Sequence, residues 1–186
     1  AHREMSRFAR LAPTSPIEGV AEQDVTLAEA AFGGRFPDGY RAFITTYGRG
    51  VLGGLVRIYT PREITEGPRS FSEWRKRIDE YWFWDKRADL ISKQIALECV
   101  VIADTVGGDE LVFHPADPNR LCVLAHDFDE AYLASTTGLE AATDWFFTSG
   151  TLDEPFEGVA PVLRHALAEL NGMVFLDFLE ALTGLR

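Results

Sequence analysis

The residues best suited to metal binding are two histidines and two aspartates near the ends of predicted strands. His114, Asp117, His126 and Asp127 carry imidazole and carboxylate groups that would converge if those strands were neighbours. Their spacing matches no compact ligand motif such as HExxH, and Asp117 lies in the turn-forming segment PADPN. The sequence therefore predicts no metal site and no cofactor.

A second group of acids is placed for general acid–base chemistry. Asp104, Asp109 and Glu110 flank the glycines of the segment TVGGDE, and paired carboxylates are the groups that glycoside hydrolases use. The glycines are typical of a turn between strands, and the segment lacks the GxxxxGK[ST] pattern of a phosphate-binding loop. Hydrolysis is therefore one alternative, and the three acids are also candidates for partner binding.

The segment 79–86, DEYWFWDK, is the most unusual stretch of the chain. Continued helical spacing places Tyr81 and Trp82 toward the core and directs Phe83 and Trp84 elsewhere. Burial in the core is one interpretation of these rings. A binding surface is the other, because aromatic residues are enriched in interface hot spots. Trp82 and Trp84 are the candidate contact residues.

The segment 126–132, HDFDEAY, carries Asp127, Asp129 and Glu130. A charge run of this kind is most often a solvated turn. The functional interpretation is an acidic edge that attracts a basic partner, because complementary potentials raise the rate of association. We expect charge reversal in this segment to slow association with such a partner.

Acidic residues outnumber basic ones, with 29 Asp and Glu against 18 Lys and Arg and a formal net charge of −11. Affinity for nucleic acid comes from Lys and Arg that release counterions from phosphates, and anionic membranes attract basic segments. The charge therefore disfavours direct binding to nucleic acid or membranes and suits a basic protein partner. A simpler interpretation is that the excess acid keeps the protein soluble.

Two cysteines, Cys99 and Cys122, lie inside apolar segments without CxxC spacing. The sequence predicts buried free thiols in a reducing compartment rather than a zinc or redox site. No apolar run approaches the length of a membrane span, and no signal-peptide pattern is present. We therefore expect a cytoplasmic protein.

The stretch GGRFPDGYRAFITTYGRG, residues 33–50, has the periodicity of a helix between two pairs of glycines. Its apolar residues follow helical spacing from Phe36 to Tyr47. Pro37 suits the first helical position, and Gly48 suits the C-terminal cap. The aromatic side chains are therefore predicted to anchor the core.

Further helices and strands are indicated along the chain. DVTLAEAAF is a predicted helix with a capping box at Thr26 and Glu29. Its predicted packing face is Leu27, Ala30 and Ala31 or their neighbours. SFSEWRKRIDEYWFWDK is another predicted helix. Strand patterns occur in VLGGLVRIYT, with a bulge or a close backbone approach at its two adjacent glycines, and in a meander at 97–104, 110–114 and 121–127. Short turns indicate antiparallel neighbours. The predicted class is α+β, an antiparallel sheet of about four to six strands with helices packed on one face or end.

The length of 186 residues favours a single domain over the whole chain. Residues 1–19 are predicted to be irregular because prolines interrupt them. Residues 20–150 are predicted to form the sheet-bearing core. Residues 151–186 are predicted to add a helical extension, because apolar residues recur there at helical spacing in two segments.

The order of helix, glycine, FP, tyrosine and strand resembles the SUKH superfamily, which includes yeast cell-wall synthesis regulators and many bacterial immunity proteins. The family pattern is matched in order and spacing by Glu29, Gly33, Phe36, Pro37, Tyr40, Phe43 and Gly48. Phe36 stands where the family usually has Leu, and YGRG replaces its usual Asn-Gly-Gly. The segment IADTVGGDELVFHP is similar to a second family segment, with Gly108, Asp109 and Leu111 in place. The resemblance covers roughly Val20 to Phe147.

The resemblance implies protein binding rather than catalysis. Bacterial members typically neutralise polymorphic toxins, often nucleases, so it implies an immunity-type module that binds a basic toxin domain. The alternatives are a regulatory or scaffold domain that binds a non-toxin protein, and the carboxylate hydrolase considered above. The matched positions mostly build the fold and assign no contact residues. The candidates for partner binding are Trp82, Trp84, Asp104, Asp109, Glu110, Asp127, Asp129 and Glu130.

Overall fold

The computed structural model describes Phe8 and residues 11–14, 17–126 and 129–148 of the chain. Within this part, six α-helices accompany six strands that form one open antiparallel sheet. The helices are α1 (Glu22–Phe32), α2 (Tyr40–Tyr47), α3 (Pro61–Thr65), α4 (Phe71–Glu80), α5 (Lys93–Ala96) and α6 (Leu139–Thr148). The strands are β1 (Gly50–Leu52), β2 (Val56–Ile58), β3 (Val100–Thr105), β4 (Glu110–His114), β5 (Asp117–Leu124) and β6 (Ala131–Ser135). The predicted α+β class and strand number are confirmed.

The chain divides into two compact units, residues 1–143 and 144–186. The first unit contains the whole sheet. Of the second unit, the structure describes residues 144–148, where the rings of Trp145 and Phe146 meet edge to face. The predicted helical extension lies outside the described residues. The single domain over the whole chain stays a prediction.

Each strand of the sheet pairs with the next one along the chain, from β1 to β6. The first two strands were predicted as one strand with a bulge, and this prediction is wrong. Gly53 and Gly54 have φ angles of +54° and +70°, which reverse the chain and separate the two strands of a hairpin. The Leu55 amide donates to the Leu52 carbonyl oxygen across this turn, at 2.9 Å.

The meander was predicted as three strands, and its middle strand is confirmed at Glu110–His114. The strand before it begins at Val100 because α5 ends at Ala96 and a turn through Leu97 and Glu98 follows. The strand after it starts earlier than predicted, at Asp117, and ends at Leu124. The edge strand β6 was not predicted as a strand, because its five residues follow a charge run that is typical of a turn.

The centre of the sheet forms the core. Four consecutive residues of β3, from Val100 to Ala103, are buried, as are three consecutive residues of β4. Because successive side chains of a strand point to opposite faces, these strands are covered on both faces. Ile58 on β2 and Leu121 on β5 are also fully buried, and their strands flank β3 and β4 on either side.

The helix α1 differs from its prediction at its start and in its packing face. It begins at Glu22, so Thr26 lies inside the helix and donates its hydroxyl hydrogen to the Glu22 carbonyl oxygen, at 3.1 Å. The predicted capping box at Thr26 is therefore wrong. Leu27 is exposed and Val25 is buried, so the predicted packing face is rotated about the helix axis. Gly33 ends the helix in a left-handed conformation, as predicted.

The helix α2 begins three residues later than predicted. Gly39 precedes it with a φ angle of +86°, so Pro37 belongs to the turn before the helix rather than to its first position. The predicted core role of the aromatic residues is confirmed for Tyr40 and Phe43, which are buried. The Tyr40 hydroxyl donates to the Tyr59 carbonyl oxygen at 2.8 Å, which ties the helix to the sheet.

Glu29 explains why the matched family positions belong together. Its carboxylate accepts hydrogen bonds from the Phe36 amide, at 3.0 Å, and from the Arg41 guanidinium, at 2.7 Å. The bonds join the end of α1, the connecting turn and α2. Glu29 therefore has a fold-building role.

Candidate functional site

The helix α4 ends at Glu80, six residues before the end of the predicted helix at Lys86. The chain is then irregular up to a 3₁₀ turn at Asp85–Arg87. Because the helix stops, the helical spacing no longer decides which rings face inward. Tyr81 is 68 % exposed, whereas Trp84 is only 3 % exposed. The predicted inward position of Tyr81 is therefore wrong.

Trp84 anchors this segment to the sheet. Its indole Nε1–H donates to the Ala125 carbonyl oxygen at 2.9 Å, across 41 positions of sequence. The Phe83 ring stacks on the Trp84 ring with centroids 3.9 Å apart, and Phe83 remains 41 % exposed. Trp82 meets Trp84 edge to face and donates its indole hydrogen to Asp85 at 2.6 Å. The buried Trp84 ring therefore supports the exposed Phe83 ring.

The same segment contacts the β5–β6 connection at one further point and the first residue of β6 at another. Lys86 Nζ lies 2.7 Å from Asp129 Oδ1, and the Arg87 guanidinium donates to the Ala131 carbonyl oxygen at 3.1 Å. The structure thus brings together the aromatic and acidic segments that the sequence analysis had treated separately. We call the set Tyr81, Trp82, Phe83, Asp85, Asp129 and Glu130 the aromatic–acidic surface.

Of the three acids predicted near the β5–β6 connection, the structure describes Asp129 and Glu130. Asp129 keeps 43 % of its side chain exposed beside Lys86, and Glu130 is half-buried, its carbonyl oxygen accepting a hydrogen bond from the Ala125 amide at 3.2 Å. Asp127 lies outside the described residues.

Asp109 braces the turn between β3 and β4. Its carboxylate accepts hydrogen bonds from the His126 amide, at 2.9 Å, and from the Thr105 hydroxyl, at 3.2 Å. The first of these bonds links the turn to the end of β5. This geometry accounts for an aspartate at this position without a ligand.

Asp104 is largely buried, and its carboxylate is hydrogen-bonded to an arginine guanidinium and a tyrosine hydroxyl. The Arg57 guanidinium donates two hydrogen bonds to its carboxylate, at 2.8 and 2.5 Å, and the Tyr59 hydroxyl donates a third at 2.9 Å. Burial, followed by the nearby Asp104 charge, raises the pKa of Tyr59 well above its usual value. Tyr59 therefore remains a protonated hydrogen-bond donor at neutral pH.

Glu110 lies next to Asp104 in the register of β3 and β4 and is also engaged within the fold. It accepts a hydrogen bond from the Trp74 indole at 2.9 Å and one from the Arg77 guanidinium. Both partners come from α4, so Glu110 fixes this helix on the sheet. No sequence pattern indicates this pairing, because the residues are more than 30 positions apart.

Of the two histidines considered for metal binding, His114 has other partners. His114 Nε2 lies 3.3 Å from a Glu98 carboxylate oxygen, and its Nδ1 accepts a hydrogen bond from the Ala116 amide at 3.1 Å. Among the residues that the structure describes, no three His, Cys, Asp or Glu side chains are grouped to hold a metal ion.

An open cleft of about 380 Å³ lies near α3 and was not anticipated from the sequence. Glu63 stands in its wall, where one of its oxygens lies 3.5 Å from both Arg49 and Arg69. Arg62 and Glu66 form a further exposed pair on the rim. The charges of the cleft largely balance, so it indicates no particular ligand.

None of the helices in the described ranges is both long and apolar enough to span a membrane.

The described residues form an α+β protein with one open antiparallel sheet. An aromatic surface lies beside its last two strands. The acids Asp104 and Glu110 are paired within the fold. The sequence profile of the SMI1 / KNR4 family (SUKH-1) matches residues 19–138. The match covers more than half of the chain, which belongs to this family, and the resemblance noted from the sequence is confirmed. Members are typically immunity proteins and generally not enzymes. No curated protein and no solved structure matches the chain significantly.

Proposed function

We propose that the protein is an immunity-type module that binds a toxin domain directly and thereby neutralises it. Family membership supports the general role. The observation that carries the proposal is the exposed Phe83 ring, which stacks on the buried and hydrogen-bonded Trp84. The carboxylate of Asp85 belongs to the same segment, and that of Asp129 contacts the segment through Lys86. Asp104 and Glu110 are engaged within the fold, so the hydrolase alternative gains nothing from their geometry.

The rings of this surface suit a binding hot spot. Tyr81 and Phe83 are the large aromatic side chains exposed in the segment, at 68 % and 41 %. Because Phe83 is stacked on Trp84, less side-chain freedom is lost when a partner covers it. Aromatic rings held in this way contribute more to affinity than mobile surface residues do.

The acids of the surface define the charge of the proposed partner. Asp85 lies beside the Trp82 ring, Asp129 lies beside Lys86 of the same segment, and Glu130 follows Asp129 in the chain. The whole chain carries a net charge of −11. Such a field attracts a basic domain and accelerates its approach. A nuclease toxin fits this description, because its substrate cleft must bind phosphates through basic residues.

The experiment that tests the proposal is an inhibition titration. The toxin domain encoded nearest to this chain is assayed for activity while the protein is added, at low and at high salt. We expect inhibition that is complete at equal amounts of the two proteins and that weakens with salt, because salt screens exposed charges. The absence of both inhibition and a complex would contradict the proposal and favour the regulatory alternative.

A further inference from the structure

One cation of the chain already lies on the aromatic–acidic surface. Lys86 Nζ is 2.7 Å from Asp129 Oδ1, and their side chains are 63 % and 43 % exposed. Lys86 follows the exposed Phe83 by three positions and belongs to the 3₁₀ turn at Asp85–Arg87. An exposed carboxylate of the aromatic–acidic surface is thus engaged by a residue of the same chain.

We propose that the partner presents an arginine that replaces Lys86 at Asp129 and lays its guanidinium and apolar stem against Phe83. This inference rests on the proposed function and names the group of the toxin domain that the surface binds. The exposed rings define the site, and charge complementarity selects the occupant. Arginine fits better than lysine because its planar group stacks on aromatic rings and binds a carboxylate with two donors.

The geometry permits this exchange. One face of the Phe83 ring is covered by Trp84, with the two planes inclined by 26°, so a partner reaches the ring from the other face. The pair that must open is exposed, and exposed pairs contribute little to stability. The bond from Trp84 to Ala125 does not involve Lys86, so the ring that supports Phe83 keeps its anchor when Lys86 moves.

Lys86 therefore acts as a competitor of the partner, and its removal has an unusual consequence. Replacing Lys86 by Met should strengthen binding of the toxin domain by about threefold to tenfold, because Asp129 is then free for the arriving arginine. Replacing Asp129 by Asn should weaken binding by about tenfold. A role of Lys86 in direct attraction of the toxin would give the opposite sign for the first substitution.

The chain offers a matched control for the charge change. Lys76 Nζ lies 2.6 Å from Glu73 Oε1, with side chains 68 % and 47 % exposed, so Lys76→Met removes the same charge from a similar pair. We expect Lys76→Met to change the affinity by less than about twofold. If Lys86→Met and Lys76→Met raise the affinity equally, the effect is one of net charge and the inference is overturned.

A second measurement does not depend on the toxin. An acetylated and amidated hexa-arginine peptide is titrated at low salt into the full chain, and the indole N–H resonances of Trp82 and Trp84 are followed by NMR. Lys86→Met should bind the peptide more tightly than Lys76→Met, and Phe83→Ala and Asp129→Asn should bind it more weakly. Equal affinities across this series would overturn the inference. If the wild type inhibits the toxin but all variants bind the peptide equally, the proposed function stands and the arginine site is overturned. If the variants bind the peptide in the expected order but the wild type does not inhibit the toxin, the arginine site stands and the proposed function is overturned.

Discussion

The indole Nε1–H of Trp84 and the carbonyl oxygen of Ala125 form a 2.9 Å hydrogen bond that holds the aromatic segment against the end of β5. The bond is buried, and its donor is also the ring on which Phe83 stacks. One side chain thus supports the exposed ring of the proposed binding surface and joins the aromatic segment to Ala125, next to the end of β5. Trp84 is therefore a positioning residue rather than a contact residue.

This role predicts graded effects of two substitutions. Trp84→Phe keeps a ring for Phe83 but leaves the Ala125 carbonyl oxygen without its donor, and it should lower the free energy of unfolding by about 2 kcal/mol. Trp84→Ala also removes the ring and should lower it by about 4 kcal/mol. Urea unfolding followed by circular dichroism measures both values. Equal and small losses would show that the hydrogen bond and the stack do not hold this segment.

The carboxylate of Asp104 should be important for stability. Asp104→Asn removes the charge that pairs with Arg57 and should lower the free energy of unfolding by about 2 kcal/mol, in the range measured for charged hydrogen bonds. Asp89→Asn is the control, because Asp89 pairs with an arginine at the surface and exposed pairs contribute little. Thermal unfolding of the two variants compares them directly. A shift as large for Asp89→Asn as for Asp104→Asn would contradict this account.

Two glycines of the family pattern should respond differently to alanine. Gly48 has a φ angle of +63°, and an added Cβ would overlap the carbonyl oxygen of Glu18. Gly33 has a φ angle of +76° and open space around it. Gly33→Ala should therefore cost about 1 kcal/mol of stability from backbone strain alone, and Gly48→Ala more than about 3 kcal/mol. Similar losses for both, measured in urea, would show that the contact with Glu18 does not matter.

The buried thiols should be unreactive in the native protein. Burial raises the pKa of the Cys99 thiol from 9.0 to about 12, and burial also raises the pKa of Cys122. Both groups are therefore protonated at about pH 8, and the thiolate is the reactive form. Ellman's reagent should modify neither cysteine in the native protein and both in guanidinium chloride. Rapid labelling of the native protein would show that one thiol is accessible.

The same pKa shifts predict how stability depends on pH. The folded protein favours the neutral thiols, whereas the unfolded chain ionises them near pH 9. Their stabilisation is therefore complete below this pH and is lost as the pH rises toward the folded value of Cys99, about 12. Substitution of both cysteines by Ala should flatten the decline of stability in this alkaline range. An unchanged decline would assign it to other groups.

The sequence predicted the parts of the fold that depend on local pattern. The spacing of Tyr40 and Phe43 indicated a buried helix face, and the composition of 110–114 indicated a strand. Prediction failed where the chain stops following a pattern. The α4 helix ends at Glu80, although its apolar spacing continues. Beyond Glu80 the chain departs from the helix, and Trp84 forms a hydrogen bond with Ala125, which is distant in sequence.

The candidate site was predictable only in its pieces. The aromatic segment and the acidic loop were both identified, but their meeting through Lys86 and Asp129 depends on the order of strands β5 and β6. The acids Asp104 and Glu110 looked similar to Asp129 in the sequence. Their partners Arg57 and Trp74 come from other elements of the fold, so only the structure could separate the paired acids from those of the surface.

The most direct test of the account is the dissociation constant of the complex with the toxin domain encoded nearest to this chain, measured for the wild type, Phe83→Ala and Leu27→Ala. Phe83 and Leu27 are both exposed apolar side chains, but Leu27 lies on α1, outside the aromatic–acidic surface. We predict that Phe83→Ala weakens binding by at least about tenfold, as loss of a hot-spot ring does, and that Leu27→Ala changes it by less than about twofold. Equal affinities for all three proteins would contradict the claim that this surface binds the toxin.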